Sequence, residues 1–499
     1  MQQFLNIVSV SSEVDPFSKS GGLADVARAL PKALKRLGHN VIVITPLHGT
    51  ALREDFKLKK IKQDVPIVID SSATVAADFW MGELPAGVPI YFIDHSRFFS
   101  SHKKIYGSKT ENLRFYFFDL AVFELLQFLA FKPDIIQCHE WHTGLVPYLL
   151  KTRFSDHPLF KETASVFTIH NLAFQMGKNW WEVPLKQKDE GYAKLPLFDE
   201  KNKIENINLA KRGIIHADII NTVSEQYAEE IMTKKFGQAL DRILQNRSDR
   251  LFGIINGIDY RDYNPATDPG LYKNYDFDSL HLKTKNKLFL QRMFKLPENP
   301  KVPLIAMVSR ITEQKGFDLI MDILDPLLRL DLQIVVMGGG DKKYESFFRK
   351  YIKKNPKKIA AHLQFDLNHA TKVYAGSDMF LMPSRFEPCG LGQMISLRYG
   401  SIPIVRATGG LVDTITDYNA RTQKGNGFTF KTYDSRDLLV AITRAIENHK
   451  HREEWIELMK KGMQLSFSWK IPAKKYVLLF RKAIKNRELS EEKKENESR

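Results

Sequence analysis

Short apolar runs alternate with amphipathic stretches along nearly the whole chain. Phe4–Val10, Val41–Ile44, Ile135–Cys138, Val166–Ile169 and Ile219–Val223 are rich in β-branched residues, and each ends in a polar or glycine-bearing loop. Between them, Leu23–Leu37 (closed by Gly38) and Asn112–Ala130 carry apolar residues at helical spacing. A second series runs through Leu304–Val308, Gln333–Met337, Ile359–Phe365, Met379–Met382, Ile402–Val405 and Gly427–Phe430, then the helical stretches Asp434–Asn448 and Trp469–Ile484. Strands that alternate with helices predict parallel sheets, hence an α/β fold. Residues 257–302 are richer in Pro, Asn, Asp and Tyr and read as a connection. The pattern predicts an N-terminal Rossmann-like domain over 1–250 and a C-terminal one over 260–475. A C-terminal helix over 476–485, able to cross back to the N-terminal domain, and a disordered, almost wholly polar tail over 486–499 complete the organisation. Two such domains imply a cleft faced by the strand-end loops of both.

Composition narrows this only a little. A length of 499 residues suits more than one domain, and 43% hydrophobic with 26% charged residues is ordinary for a soluble protein. No apolar run reaches membrane-spanning length, so no membrane partner is expected. The first strand has no basic segment before it and does not read as a signal peptide. Two cysteines, Cys138 and Cys389, cannot build a disulfide framework, which makes a reducing cytoplasm the expected setting. The formal net charge of +16 invites a nucleic-acid reading. The lysines are dispersed, however, and no helix-turn-helix, zinc or RNA-binding signature accompanies them, so no nucleic-acid partner is expected. A positive field would still draw anionic small substrates.

Residues 379–414 carry the densest chemical signal. The strand Met379–Met382 ends in a polar loop holding a lone carboxylate, Glu387; a helix and the strand Ile402–Val405 follow, then Thr408-Gly409-Gly410 at a helix start. Loops after parallel strands, at helix N-termini, are where α/β proteins hold anionic ligands. Glu387 either accepts hydrogen bonds from sugar hydroxyls or satisfies local backbone N–H groups. Cys389 has no histidine near it in sequence and reads as a packing residue. Upstream, the first strand runs into Glu13 and then Lys19-Ser20-Gly21-Gly22, either a phosphate-binding helix start or a plain glycine turn. Arg310 ends the strand Leu304–Val308 and Lys315 follows shortly after: a diphosphate clamp or two solvated cations. His170 also follows a strand. His139-Glu140-Trp141-His142 gathers two histidines, a carboxylate and an indole; metal ligation is conceivable, but no further ligand motif is visible, and a Trp beside polar groups suits stacking on a sugar.

Several longer segments carry a resemblance: SEVDPFSKSGGLADV (12–26), HEWHTGL (139–145), FTIHNLAFQ (167–175), NTVSEQYAEEI (221–231), GIINGIDYRDYNPATDP (253–269), VSRITEQKGFDL (308–319), YAGSDMFLMPSRFEPCGL (374–391), ISLRYGSIPIVRATGGLVDT (395–414) and FSWKIPAKKY (467–476). In this order and spacing, from Ile7 to about Arg481, the chain resembles bacterial glycogen synthases and plant starch synthases.

The resemblance implies two Rossmann-like domains facing across a cleft (the GT-B architecture). It implies transfer of glucose from a nucleotide diphosphate to the non-reducing end of an α-1,4-glucan such as glycogen, with retention of configuration and no metal or other cofactor. It favours ADP-glucose over UDP-glucose. Carried over, Lys19 binds the donor, with Gly21 and Gly22 near its phosphates; Arg310 and Lys315 hold the diphosphate and take up its charge. His170 positions the glucosyl unit, Asn256 lines the cleft, and Glu387 holds the glucose hydroxyls. The loop Cys389-Gly390-Leu391 and Thr408-Gly409-Gly410 complete the donor pocket. Glu13, Glu140, Trp141 and His142 resemble the acceptor wall. Three positions depart from the family pattern: Ser20 replaces Thr, Glu140 replaces Asp on a longer stem, and Ala239 stands where glycine is common. The rival readings are another retaining nucleotide-sugar glycosyltransferase, a non-catalytic glucan-binding relative, and a glycosidase. Ile395 occupies the position where many of the first kind carry a second Glu. A relic should have lost some of Lys19, His170, Arg310, Lys315 and Glu387, and a glycosidase does not explain the cationic pair.

Overall fold

A computed structural model describes residues 4–52, 54–102, 104–364 and 366–498. The chain divides into two units, one formed by residues up to Ile254 together with those from Trp469 onward, the other by Ile255–Ser468.

Among its described residues the first unit holds nine strands: β1 (Asn6–Val10), β2 (Asn40–Pro46), β3 (Lys59–Val68), β4 (Thr74–Leu84), β5 (Val88–Asp94), β6 (Ile135–His139), β7 (Ala164–Ile169), β8 (Ile219–Thr222) and β9 (Leu251–Gly253). They form one sheet in the order β3-β4-β5-β2-β1-β6-β7-β8-β9. Pairing is parallel throughout except at β3–β4 and β4–β5. The β3–β5 meander is absent from the sequence reading. Its outer strand, KKIKQDVPIV, is mostly exposed and has no clean alternation; lysines on an edge strand discourage further pairing. On one face of the sheet, Ile7, Val41, Ile135 and Val166 pack against the helix Gly22–Arg36 and against Trp469, Tyr476 and Phe480. The Tyr476 hydroxyl donates to Asn221 Oδ1 at 3.0 Å.

The last helix therefore belongs to the first unit. It begins at Lys470, one residue from the helical stretch read at Trp469–Ile484 and ahead of the 476–485 segment set apart as a C-terminal helix, and it continues to Ser498 through the stretch read as a disordered tail over 486–499. That stretch is polar, but it interleaves acidic and basic residues at helical spacing. Arg487 is buried, donates to the Lys161 carbonyl at 3.1 Å, and pairs with Glu491 one turn on at 2.7 Å.

The second unit carries β10 (Leu304–Val308), β11 (Gln333–Met337), β12 (Ile359–His362), β13 (Met379–Met382), β14 (Ile402–Arg406) and β15 (Phe428–Phe430). These form an all-parallel sheet in the order β12-β11-β10-β13-β14-β15. The sequence-predicted end of β12, Phe365, lies outside the described residues. The segment read as a connection, 257–302, contains a helix, Lys283–Met293. Its inward positions include Lys283, Asn286, Lys287 and Gln291, so it shows almost no apolar period. The buried lysines are paired. Lys283 donates to the Tyr374 and Ala375 carbonyls, and Lys287 lies 2.6 Å from Asp378.

Each sheet has one point where the strand order reverses, between β1 and β6 in the first and between β10 and β13 in the second. Loops that leave such a point in opposite directions open a crevice at the strand carboxyl ends.

Candidate functional site

In the first unit, the loop after β1 delivers Glu13 and the Lys19-Ser20-Gly21-Gly22 turn. Glu13 is buried and accepts the Ser20 N–H at 2.5 Å, tying the turn back to the strand end. Burial pushes its pKa up to about 7, opposed by the Ser20 and Gly21 hydrogen bonds. Gly21 caps the helix Gly22–Arg36 with no side-chain hydrogen bond. A Cβ at Gly21 would meet only a Glu13 oxygen, at 3.9 Å, so no protein atom demands a glycine there. The free space lies beside orphan helix N–H groups, which suits an anionic ligand. Lys19 lies 2.5 Å from Asp25 and 3.8 Å from Asp15, which also holds Arg28 at 3.0 Å. Sequence reading missed this cluster, although Asp25 lies in the same quoted segment.

The loop after β6 carries Glu140 in a left-handed conformation (φ 67°). Its carboxylate turns back and accepts the His170 and Asn171 N–H groups, both at 2.6 Å, so Glu140 fixes the loop after β7. Burial raises its pKa to about 7 against those two bonds. His170 Nε2 lies 2.9 Å from His139 Nδ1, and His139 Nε2 lies 3.2 Å from Ser9 Oγ. Burial lowers the His170 pKa to about 3, which keeps the ring neutral near pH 7. His142 turns elsewhere. It stacks on Trp141 and Tyr106, with ring centroids at 3.9 and 4.8 Å, and meets Phe115 edge-on at 4.6 Å. The two histidines of HEWH therefore do not converge. Among the described residues no group of three or more His, Cys, Asp or Glu is placed to hold a metal ion.

In the second unit, the loops after β10 and β13 meet. Lys315 Nζ lies 2.5 Å from Glu387 Oε2, which also accepts the Ser384 hydroxyl at 3.0 Å. Arg310, at the end of β10, is exposed, and among the described residues its guanidinium has no recorded partner. The Glu387 carbonyl accepts the Gly410 N–H at 3.1 Å, joining the carboxylate loop to Thr408-Gly409-Gly410. Here glycine is required by the protein. Gly409 has φ 46°, and a Cβ would come within 2.0 Å of the Glu387 carbonyl oxygen. Cys389 is buried, and burial raises its thiol to about 12 against hydrogen bonds from Asn256, which makes it a packing group. Asn256 is itself buried, and among the described residues its Oδ1 has no partner. Gln393, on the helix that follows Gly390 and Leu391, donates to the Cys389 and Gly390 carbonyls at 3.1 and 2.9 Å and holds this loop shut.

Comparison with known proteins decides the family. The starch synthase catalytic domain matches residues 6–246, and the glycosyl transferases group 1 domain matches residues 290–462. A glycogen synthase from Moorella thermoacetica is 44% identical over 495 residues, 98% of each chain. The chain belongs to the glycogen and starch synthase family. A Thermotoga maritima member named glycogen synthase is 42% identical, with 96% of this chain and 99% of that one covered. The catalytic domain of starch synthase IV from Arabidopsis thaliana, solved with ADP and acarbose, superposes with a TM-score of 0.86 at 33% identity, over 97% of this chain and 100% of that one. A sucrose-phosphate synthase from Thermosynechococcus elongatus (TM-score 0.60, 16% identity) shares the fold alone. Membership of this family makes the two-unit α/β architecture GT-B.

Proposed function

We propose that this protein transfers glucose from ADP-glucose to the non-reducing end of an α-1,4-glucan, with retention of configuration and without a metal. The observation that carries the reading is the cation pair at the β10–β13 reversal. Among the described residues Arg310 is unpaired, and it is exposed, while Lys315 is held by a buried carboxylate. The names of the relatives and the ADP bound to the starch synthase neighbour support it, since ADP is what an ADP-sugar leaves behind.

When the bond between glucose C1 and the diphosphate oxygen breaks, positive charge grows on the sugar and negative charge on the leaving group. Arg310 and Lys315 stabilise the second, and such a preorganised donor contributes on the order of 10²–10³ in kcat. Lys19 with Gly21 and Gly22 binds the donor, and His170, neutral, takes a glucose hydroxyl. Glu387 faces the sugar hydroxyls; Asn256, Cys389, Gly390, Leu391, Thr408, Gly409 and Gly410 shape the pocket. Glu13, Glu140, Trp141 and His142 serve the acceptor side, Glu140 by fixing the His170 loop. The acceptor hydroxyl attacks C1 from the face the diphosphate leaves, and its proton passes to a phosphate oxygen. A glucosyl unit trapped on a protein side chain would overturn that step. The setting is the cytoplasm; no described helix is long and apolar enough to cross a membrane.

The deciding experiment supplies ADP-glucose and UDP-glucose separately with glycogen and measures label in the polymer. Incorporation from ADP-glucose supports the reading. Incorporation from UDP-glucose alone refutes the donor, and none from either, with glycogen still bound, favours a non-catalytic glucan-binding protein.

A further inference from the structure

Tyr433 belongs to none of the groups above, yet it touches both loops that carry the Lys315–Glu387 pair. It follows β15, the edge strand of the second sheet. Its hydroxyl donates to Asp318 Oδ1 at 2.5 Å and lies 3.4 Å from the Glu313 carbonyl oxygen. Its ring lies beneath the Arg385 guanidinium, whose carbon is 4.5 Å from the ring centroid. Arg385 closes the circuit, with its Nη2 2.7 Å from Glu313 Oε1 and 3.2 Å from Asp318 Oδ2. Glu313 and Asp318 bracket Lys315 in the chain, and Arg385 stands just ahead of Glu387. Backbone contacts continue the join. The Arg385 N–H donates to the Gln314 carbonyl at 2.8 Å, and the buried Arg406 donates to the Ser384 carbonyl at 2.7 Å and to that of Arg385. At Gly316 (φ 77°) a Cβ would come within 2.1 Å of the Pro383 carbonyl oxygen, so the two loops touch and a shift of one carries the other.

We propose that Tyr433 is a positioning residue for glucosyl transfer, which fixes the lysine turn against the carboxylate loop and so aims Lys315 at the leaving diphosphate. The proposal rests on the reading of Lys315 as the group that meets that charge. The value of the network to folding is small. Arg385 and Glu313 are 47% and 59% exposed, and ion pairs so open to water add little to stability. Its value to geometry is larger. Glu387 holds only the tip of the Lys315 side chain, and where that tip points depends on the backbones of the turn and the loop. Those backbones are what Asp318, Glu313 and Arg385 hold. A misplacement of about 1 Å, even one caused far from the reacting atoms, lowers a rate on the order of 10²-fold. A phenylalanine at 433 would fill the same space and stack on Arg385 in the same way. What the tyrosine adds is the bond to Asp318, which fixes that carboxylate with its other oxygen toward Arg385.

The test is a double-mutant cycle in the full chain: Tyr433→Phe, Lys315→Met and the two combined, with melting curves to confirm folding. Label incorporation from ADP-glucose gives kcat and KM, and titration calorimetry gives the affinity for ADP. Tyr433→Phe should lower kcat about tenfold, with Tm and the KM for glycogen unchanged. In the Lys315→Met background the same change should cost less than about twofold, because its effect passes through the lysine, whereas independent effects multiply. Affinity for ADP, which carries the diphosphate, should fall about threefold in Tyr433→Phe and no further where Lys315 is already absent. Asp318→Asn, which keeps an acceptor for the hydroxyl, should retain more activity than Asp318→Ala. Wild-type kcat in Tyr433→Phe overturns the proposal. So does a loss that persists in full in the Lys315→Met background, which marks Tyr433 as acting apart from the lysine. If the wild type transfers no glucose while the cycle in ADP affinity is non-additive, the positioning role stands and the functional reading fails; an additive cycle in ADP affinity overturns the positioning role in either case.

Discussion

Lys315 and Glu387 offer the sharpest test of whether the second unit's charges act in chemistry or only in folding. The side chains are 18% and 8% exposed and 2.5 Å apart. Lys315→Met leaves a nearly buried carboxylate with only the Ser384 hydroxyl at 3.0 Å. Breaking a buried pair from one side costs about 3–5 kcal/mol. The remaining hydrogen bond and the residual access to water bring this to about 2–3 kcal/mol, a fall of roughly 5–10 °C in Tm for a unit of this size. The double variant Lys315→Met, Glu387→Gln removes both charges and should recover most of that loss. Turnover should behave differently. Each single variant should lower kcat on the order of 10²–10³-fold, and the double should stay as low, because the Lys315 cation is gone and Arg310 alone is left to meet the departing diphosphate. The assay pairs calorimetry with label incorporation from ADP-glucose. Recovery of kcat together with Tm in the double variant would show the pair to be a structural strut and would refute the chemical role.

Four further outcomes follow from other parts of the molecule. Lys19→Ala should raise the donor KM at least tenfold with a small change in kcat; the opposite split would remove Lys19 from donor binding. With Glu13 and Glu140 both raised to about 7, protonation below that pH weakens their hold on the Ser20 and His170 N–H groups. The acid limb of kcat/KM should therefore centre near pH 7 and shift in Glu140→Gln; an unmoved limb would assign it elsewhere. Lys287→Met should destabilise the second unit by about 3 kcal/mol near neutral pH. Burial alone would raise the Asp378 pKa, but Lys287 and His449 hold that carboxyl well below its usual range, so the difference from wild type should shrink as the pH falls below about 4, and a pH-independent difference in a urea titration would contradict it. Ala239 has φ 64°, in the left-handed region, so Ala239→Gly should stabilise the first unit by about 0.5–1 kcal/mol, and a loss in Tm would show the backbone there to be unstrained.

Most strands and their parallel sense were legible in the chain, because a strand buried on both faces must be a short continuous apolar run. Leu304–Val308, Gln333–Met337 and Met379–Met382 match the structure residue for residue. The candidate residues were legible for a related reason. Ligand groups in such folds sit just past strand ends, which singles out Glu13, His170, Arg310, Lys315 and Glu387 as candidates, and their roles came from the family resemblance. What sequence could not show depends on partners distant along the chain. The helix Lys283–Met293 hides behind buried lysines whose partners are the carbonyls of Tyr374 and Ala375 and the carboxylate of Asp378. The polar end of the last helix is ordered by Arg487 reaching Lys161. That Glu140, from a left-handed backbone, accepts the His170 and Asn171 N–H groups is visible only in the folded chain. Local hydrophobic period sets which segments become strands and helices. Which polar side chain satisfies which buried group is settled only when the folded chain brings the two together, because the cost of burying either one alone exceeds any local preference.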